Sequence, residues 1–283
     1  MILDLLENKQ SIVVAELTNN HHGDSTRLLE MIQKCKEAGA DVIKLQKRDV
    51  ATFYSKDKLN EPYTSPFGST LGDYRSAVEL TKEQFLMADD LCKDLGIPWF
   101  ASILDWNSLK FMAQFQMPLV KLPSTISNKR DYLLKIAKEY KGDLVISTGY
   151  TDMYYEEFIL NNFTKDRNLV LMQCTSSYPT PSSECNIGVI RHYDKLKQQY
   201  PNIIPGYSSH DEGSLGCQLA VGAGARVIEK HVKFGDTEWV HFDKVALDIS
   251  DDTFKRFVDD IQLANVIHGS ESKTISSFEH HKY

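Results

Sequence analysis

No stretch of this 283-residue chain approaches the roughly 20 consecutive apolar residues that a membrane-spanning helix needs. The opening segment, MILDLLENKQ, is acidic and has too short an apolar run for a signal peptide. No membrane partner is therefore expected, and a cytoplasmic location is. Cysteine is scarce: Cys35, Cys92, Cys174, Cys185 and Cys217 form an odd set without a Cys-x-x-Cys pair, which excludes a disulfide framework and a zinc knuckle as readings. Positive charge is also in deficit. The formal charge of −7, with Lys and Arg interspersed among acids, speaks against a nucleic-acid surface, yet leaves room for a local basic pocket for a small anion. No Pro/Gly/Ser-rich linker, charge run or low-complexity stretch divides the chain, so residues 1–283 read as one domain with a short tail over about 270–283.

What the chain has is a repeated unit. Eight short, mostly apolar runs each stop at polar residues and give way to a helical pattern: Ile12 to Glu16, Asp41 to Gln46, Pro98 to Ser102, Pro118 to Ser124, Asp143 to Gly149, Leu169 to Ser177, Ile203 to His210 and Arg226 to Val232. Such runs suit strands buried on both faces. Between them, Thr81-Lys82-Glu83-Gln84 reads as a capping box, and Gly39 and Gly96 stand where helix C-caps belong. Strands alternating with helices pair in parallel, and eight such units predict a closed (β/α)8 TIM barrel, with a doubly wound open sheet as the alternative. The barrel explains why every run ends in groups able to do chemistry, because in that fold all the C-terminal strand ends meet at one site. One gap of about 50 residues, containing NEPYTSPFGSTLGDYRS, breaks the spacing and reads as a structureless lid or binding loop.

The strand ends offer three sets of groups. His210 and His231 would close neighbouring strands, where two imidazoles can share a divalent metal with positions left open for water or substrate; a single His there would more simply be a hydrogen-bonded scaffold residue. Lys44 and Lys121, with Ser102, Ser124, Ser147, Ser176 and Ser208, make a cradle for a phosphate or carboxylate. Each Ser alone commonly ends a strand by bonding local backbone, but Lys is almost never fully buried without an anionic partner. Glu16 would serve equally as a general base or as the salt-bridge partner of one of these lysines. Gln46 ends the second run, and Asp243 and Asp248 follow the last one, where a solvated loop charge is the plainer reading.

The segments AELTNNHHG, AGADVIKLQ, KLPS, ISTG, CTSSYPTP, GYSSH and ARVIEKH, in this order, resemble the N-acetylneuraminate (sialic acid) synthases and their relatives over roughly Ile12 to Asp260. The resemblance implies a transferase that condenses phosphoenolpyruvate with an aldose, such as N-acetylmannosamine or a related amino sugar, to a 2-keto-3-deoxy sugar acid and phosphate. It implies a divalent metal, usually manganese with magnesium or cobalt as substitutes, on His210 and His231, where it would polarise the aldehyde. It also implies phosphoenolpyruvate among Lys44, Ser102, Lys121, Ser124, Ser147, Ser176 and Ser208, the sugar towards Gln46, Tyr178 and Asp243, Glu16 as the catalytic glutamate, and a homodimer.

Four departures from the family pattern stand out. Thr125 and Ile126 follow Ser124 where the family commonly has Gly-Glu, so an acidic group is expected to be missing. Ala101-Ser102-Ile103-Leu104 replaces a common Ser-Thr-Pro-Phe, and Ser176 stands where Asn is common. Only about 14 residues follow the last helical pattern, too few for the C-terminal antifreeze-like domain that delivers an arginine to the sugar; Arg75 in the long gap is a candidate replacement. A Kdo-type synthase would need a second phosphate site, for which Lys47-Arg48 is a modest signal. The reading from a different class is a non-catalytic barrel that binds an acidic metabolite or a partner protein; the complete set of Glu16, two lysines and two histidines weighs against it.

Overall fold

The computed structural model describes residues 1–240 and 243–281. In chain order its strands are β1 (Ile12–Glu16), β2 (Val42–Lys47), β3 (Pro62–Ser65), β4 (Gly68–Thr70), β5 (Trp99–Ile103), β6 (Leu119–Leu122), β7 (Asp143–Ser147), β8 (Leu169–Cys174), β9 (Ile203–Ser209), β10 (Val227–Lys233) and β11 (Leu247–Asp248). Eight of them, β1, β2 and β5 to β10, pair in parallel in that order, and β10 pairs back onto β1. The sheet is thus a closed eight-stranded barrel with helices between the strands, and the open-sheet alternative is overturned by the β1–β10 pairing. The short β11 adds beside the upper end of β10.

Alternation along each strand explains the two layers of core. On β1, Val13 and Ala15 face the surrounding helices, while Ile12 and Val14 face the barrel axis. On β2 the same split separates Ile43 and Leu45 from Val42. The outer layer is apolar along most of each strand, with Gln173, Ser209 and Lys230 as buried polar exceptions near the upper ends of β8, β9 and β10. The inner layer is apolar only in its lower half, where Ile12, Val14, Val42, Phe100, Leu119, Val145, Val170 and Val227 cluster, and the N-terminal helix Ile2–Leu6 closes the bottom by packing Ile2, Leu5 and Leu6 against them. Above this layer, the next inward positions on the same strands are Glu16, Lys44, Ser102, Lys121, Ser147 and Glu229.

The helices begin where their caps indicate. Thr81 and Gln84 form the reciprocal capping box that opens Lys82–Asp94, and Gly39 and Gly96 take the positive φ angles that end their helices. The long gap, however, is not structureless. It holds two single-turn helices (Val50–Phe53 and Lys56–Leu59), the antiparallel β3–β4 hairpin and a helix at Leu71–Ala77 capped by Thr70 and Asp73. Elements this short are held by tertiary contact rather than propensity: Tyr63 stacks on buried Tyr74 at 4.5 Å between ring centroids, and Trp239, in the loop after β10, meets Tyr74 and Phe67 edge-on. Among the described residues no helix is long and apolar enough to cross a membrane.

Candidate active site

The upper half of the barrel opens into a cavity of about 420 Å³. Strand register sets its residues in a ring. Glu16 lies opposite both His231 and Lys44, Gln46 opposite Ser102, Ser102 opposite Lys121, and Ser208 opposite both Glu229 and Cys174. Of the residues expected from the sequence, Glu16, Lys44, Gln46, Ser102, Lys121, Ser124, Ser147, Ser176, Tyr178, Ser208, His210 and His231 all line this one cavity. The side chain of Asp243 lies outside the described residues. Asp248 takes the plainer role, its Oδ1 accepting from the backbone of Gly235 and Ser250 and from the Ser250 hydroxyl.

The lysines meet a carboxylate that the strand ends alone do not reveal. Glu229 Oε1 accepts from Lys121 Nζ at 2.6 Å, Lys44 Nζ at 3.1 Å and Ser208 Oγ at 3.1 Å. Glu16 pairs with Lys44 through its other side, while its Oε1 accepts from Thr18 N and Thr18 Oγ1. Glu16 is therefore both a lysine partner and a cavity residue. Burial pushes the Glu229 carboxyl up, but Lys121 and Lys44 outweigh it and hold the group well below the usual carboxylate range. Burial drives Lys44 in the opposite sense, down to about 7, against the pull of Glu229. Two ammonium groups with two carboxylates thus sit inside the barrel as a nearly neutral, fully desolvated quartet. Beside it, the buried hydroxyls Ser102 Oγ and Ser147 Oγ have no hydrogen-bond partner among the described residues. Buried hydroxyls without partners are costly, and these are aimed where an anionic ligand would satisfy them.

The two histidines stand with ring centroids 5.3 Å apart, and Tyr178 lies 4.1 Å from the His210 ring. Both rings are buried, which lowers the pKa of His210 to about 4 and that of His231 well below its ordinary value. Their orientation follows from their partners. His210 Nδ1 is 2.9 Å from the carbonyl of Thr175, so it carries the proton and donates. His231 Nδ1 is 2.8 Å from Thr18 Oγ1, whose own proton is given to Glu16, so His231 Nδ1 donates as well. Each neutral ring then has its lone pair on Nε2, the form that binds metal, with the outer partner that metal-binding histidines require. The donor set fits a divalent ion held by two imidazoles with oxygen ligands from outside the chain. Among the described residues no third His, Cys, Asp or Glu joins them in a protein-only cage.

The cavity wall formed by Ser124 and Ser176 is shaped by Gly149. A β-carbon there would lie 2.3 Å from Ser176 Oγ, 2.7 Å from Ser124 Oγ and 3.1 Å from Cys174 Sγ, so the position is small because both hydroxyls crowd it. Gly149 N donates to Ser124 Oγ at 2.8 Å. The expected acidic gap after Ser124 has a physical counterpart: Ile126 is fully buried in the outer core, while Thr125 and Asn128 line the cavity. Arg48 and Arg75 also reach it, from the end of β2 and from the helix Leu71–Ala77.

The NeuB family profile matches residues 31–273. The chain belongs to the NeuB family. Among NeuB relatives it is 34% identical over 223 residues to N-acetylneuraminate-9-phosphate synthase of Drosophila melanogaster, covering 77% of this chain and 59% of that protein. It is 31% identical over 277 residues to N,N'-diacetyllegionaminic acid synthase of Legionella pneumophila, covering 94% and 76%. The chain spans about three fifths of the length of the insect and mammalian relatives it matches. In fold it is similar to the N-acetylneuraminic acid synthetase of Leptospira borgpetersenii, with a TM-score of 0.80 at 23% identity over 94% of this chain and 88% of that one.

Proposed function

We propose that the protein condenses phosphoenolpyruvate with an aldose to give a 2-keto-3-deoxy sugar acid and phosphate. The observation that supports this reading best is the union, in one cavity, of two neutral histidines with two buried lysines and unpartnered hydroxyls, an arrangement suited to one metal and one small polyanion. The NeuB relatives are synthases of N-acetylneuraminate 9-phosphate, legionaminic acid and pseudaminic acid by name, which fits the same chemistry. Manganese as the ion, a cytoplasmic location and a homodimer belong to this reading.

A divalent metal on His210 and His231 would supply Lewis-acid polarisation of the aldehyde carbonyl. The chain's own groups do the rest. Lys44 and Lys121 hold the carboxylate and phosphate of phosphoenolpyruvate, with Ser102, Ser124, Ser147, Ser176 and Ser208 supplying hydrogen bonds. Glu229 fixes both ammonium groups in place before the ligand arrives. The new bond joins C3 of phosphoenolpyruvate to the aldehyde carbon, whose oxygen takes up a proton. Positive charge then develops at C2 beside Glu16, which stabilises it and directs a water to it. The hydrated C2 expels phosphate and becomes the ketone. Gln46 and Tyr178, together with Asp243, form the sugar end.

The direct test is phosphate release from phosphoenolpyruvate with manganese and a panel of aldoses that includes N-acetylmannosamine, diacetamido-dideoxyhexoses and arabinose 5-phosphate, each repeated with chelator. Chelator-sensitive release with one sugar is expected; no release with any sugar and no binding of phosphoenolpyruvate would sink the reading. A second outcome concerns Gly149. Gly149→Ala should weaken phosphoenolpyruvate binding by about 10- to 100-fold, the worth of one or two hydrogen bonds to a charged group, because the added methyl displaces Ser124 and Ser176. Calorimetric titration with an unchanged dissociation constant would remove these hydroxyls from the phosphate site.

A further inference from the structure

Lys230 is fully buried in the outer layer of the barrel, between Ile228 and Val232 on the same face of β10. An ammonium group there is expensive to desolvate and needs partners. They lie on the neighbouring strand: Lys230 Nζ donates to Ser209 Oγ at 2.8 Å and to the backbone carbonyl of Asp211. Ser209 Oγ gives its own proton to Asp211 Oδ1 at 2.7 Å, and the Tyr207 hydroxyl donates to the same oxygen at 2.7 Å. On its other side Asp211 abuts Gly216, where a β-carbon would lie 2.3 Å from Asp211 Oδ2. All four side chains are buried, and the chemistry proposed above uses none of them.

This network brackets the histidine pair. His210 lies between Ser209 and Asp211, and His231 follows Lys230. The two imidazoles are supported unequally. His231 belongs to β10 and is paired with Glu16 on β1, whereas β9 ends at Ser209, so His210 stands one residue beyond the last β9–β10 pair, Ser209 with Lys230. Towards β8, Thr180 N donates to the carbonyl of His210 at 2.8 Å, and His210 Nδ1 donates to that of Thr175. Towards β10, Lys230 grips the chain on both sides of His210, at Ser209 and at Asp211. We infer that Lys230 is a positioning residue: acting through Ser209 and Asp211, it sets the separation of the two imidazoles and thereby the affinity for a divalent ion. The inference rests on the metal reading above. Metal–ligand distances tolerate only about 0.2 Å of error, so a strand end that drifts by roughly 0.5 Å loses a ligand. A Met side chain would fill the same volume without the desolvation cost, but only a head group with several donors reaches both points at once.

The test is calorimetric titration of manganese into the full chain freed of metal by chelator, compared with Lys230→Met, Ser209→Ala and Tyr207→Phe at a temperature where melting curves show each to be folded. Lys230→Met should weaken manganese binding by about 10-fold or more, the scale on which the supports of metal ligands act, and Ser209→Ala by less. Tyr207→Phe removes a hydrogen bond to the same buried carboxylate but joins no second strand. It should lower the thermal midpoint and leave manganese affinity unchanged. Pulsed electron paramagnetic resonance of bound manganese should show nitrogen coupling from two imidazoles in the unaltered protein and from one in Lys230→Met. Equal weakening in Lys230→Met and Tyr207→Phe, or full affinity with two coupled imidazoles in Lys230→Met, would overturn the positioning role. If Lys230→Met does not fold, unchanged affinity in Ser209→Ala overturns it instead. Absence of manganese binding by the unaltered protein would overturn the metal reading beneath the inference, and the inference with it.

Discussion

Alanine in place of either His210 or His231 is expected to abolish chelator-sensitive phosphate release, by at least about 1,000-fold in kcat, while the protein keeps its fold. Removal of one of the two proposed imidazole ligands would leave a divalent ion with too few protein donors to compete with water, and the Lewis acid would be lost with it. The fold should survive because both rings sit in the polar upper layer of the barrel, above the apolar floor. Metal binding by calorimetry supplies the readout independent of turnover. Titration of manganese into His231→Ala should show binding weakened by about 10- to 100-fold or more. Thr18→Val should weaken it less, because Thr18 orients the ring without touching the metal. Full activity in either alanine variant would sink the ligand assignment.

The largest effect on stability is expected at Glu229. Glu229→Ala should cost about 3–5 kcal/mol, because it strands Lys44 and Lys121 in a desolvated site with Glu16 as the remaining partner. For a chain of this size that corresponds to a fall in thermal midpoint of roughly 5–8 °C. The pH dependence has a definite sign. Loss of the carboxylate removes the partner that pulls Lys44 up against burial, so its folded pKa in the variant falls below the value of about 7 that it has in the unaltered protein, whereas its unfolded value stays near 10.4. The part of the penalty carried by Lys44 is therefore complete below the variant's folded value and is lost as pH rises through about 7, the folded value of the unaltered protein. Scanning calorimetry on both sides of neutral pH should show the variant's deficit against the unaltered protein narrowing up to about pH 7 and staying level above it. A deficit that stays constant across that range would mean that Lys44 is not a group left unpaired. Phosphoenolpyruvate should also raise the midpoint of Glu229→Ala, since the ligand restores the missing negative charge.

The barrel and most of the site were legible because a single rule governs both. Along β1, β2 and β10 the inward residues are apolar at the bottom and polar near the C-terminal end, so reading the strand ends finds Glu16, Lys44, His210 and His231. The same rule, applied one step further, would have found Glu229, which precedes His231 by two residues and must share its face. Within RVIEKHV it passes for an isolated charge, since nothing local states that two lysines from β2 and β6 converge on it. The long segment before Thr81 was harder. Its single-turn helices and its hairpin fall below the length at which propensity decides structure, and they form because Tyr63, Phe67 and Tyr74 dock on Trp239, up to 176 residues away in sequence. The position of Arg75 depends on that docking, so its place beside Arg48 could not be read from the chain alone.

The helix Ile2–Leu6 gives the barrel a floor, and a vessel with a floor fills and empties as a stack. Whatever settles against Lys44 and Lys121 lies beneath whatever is later held at Gln46, Arg48 and Tyr178. For the proposed reaction the small acid must therefore be seated first and the sugar second. The phosphate released at the bottom waits until the product above it has gone. The order of events is set by depth, before any difference in affinity enters.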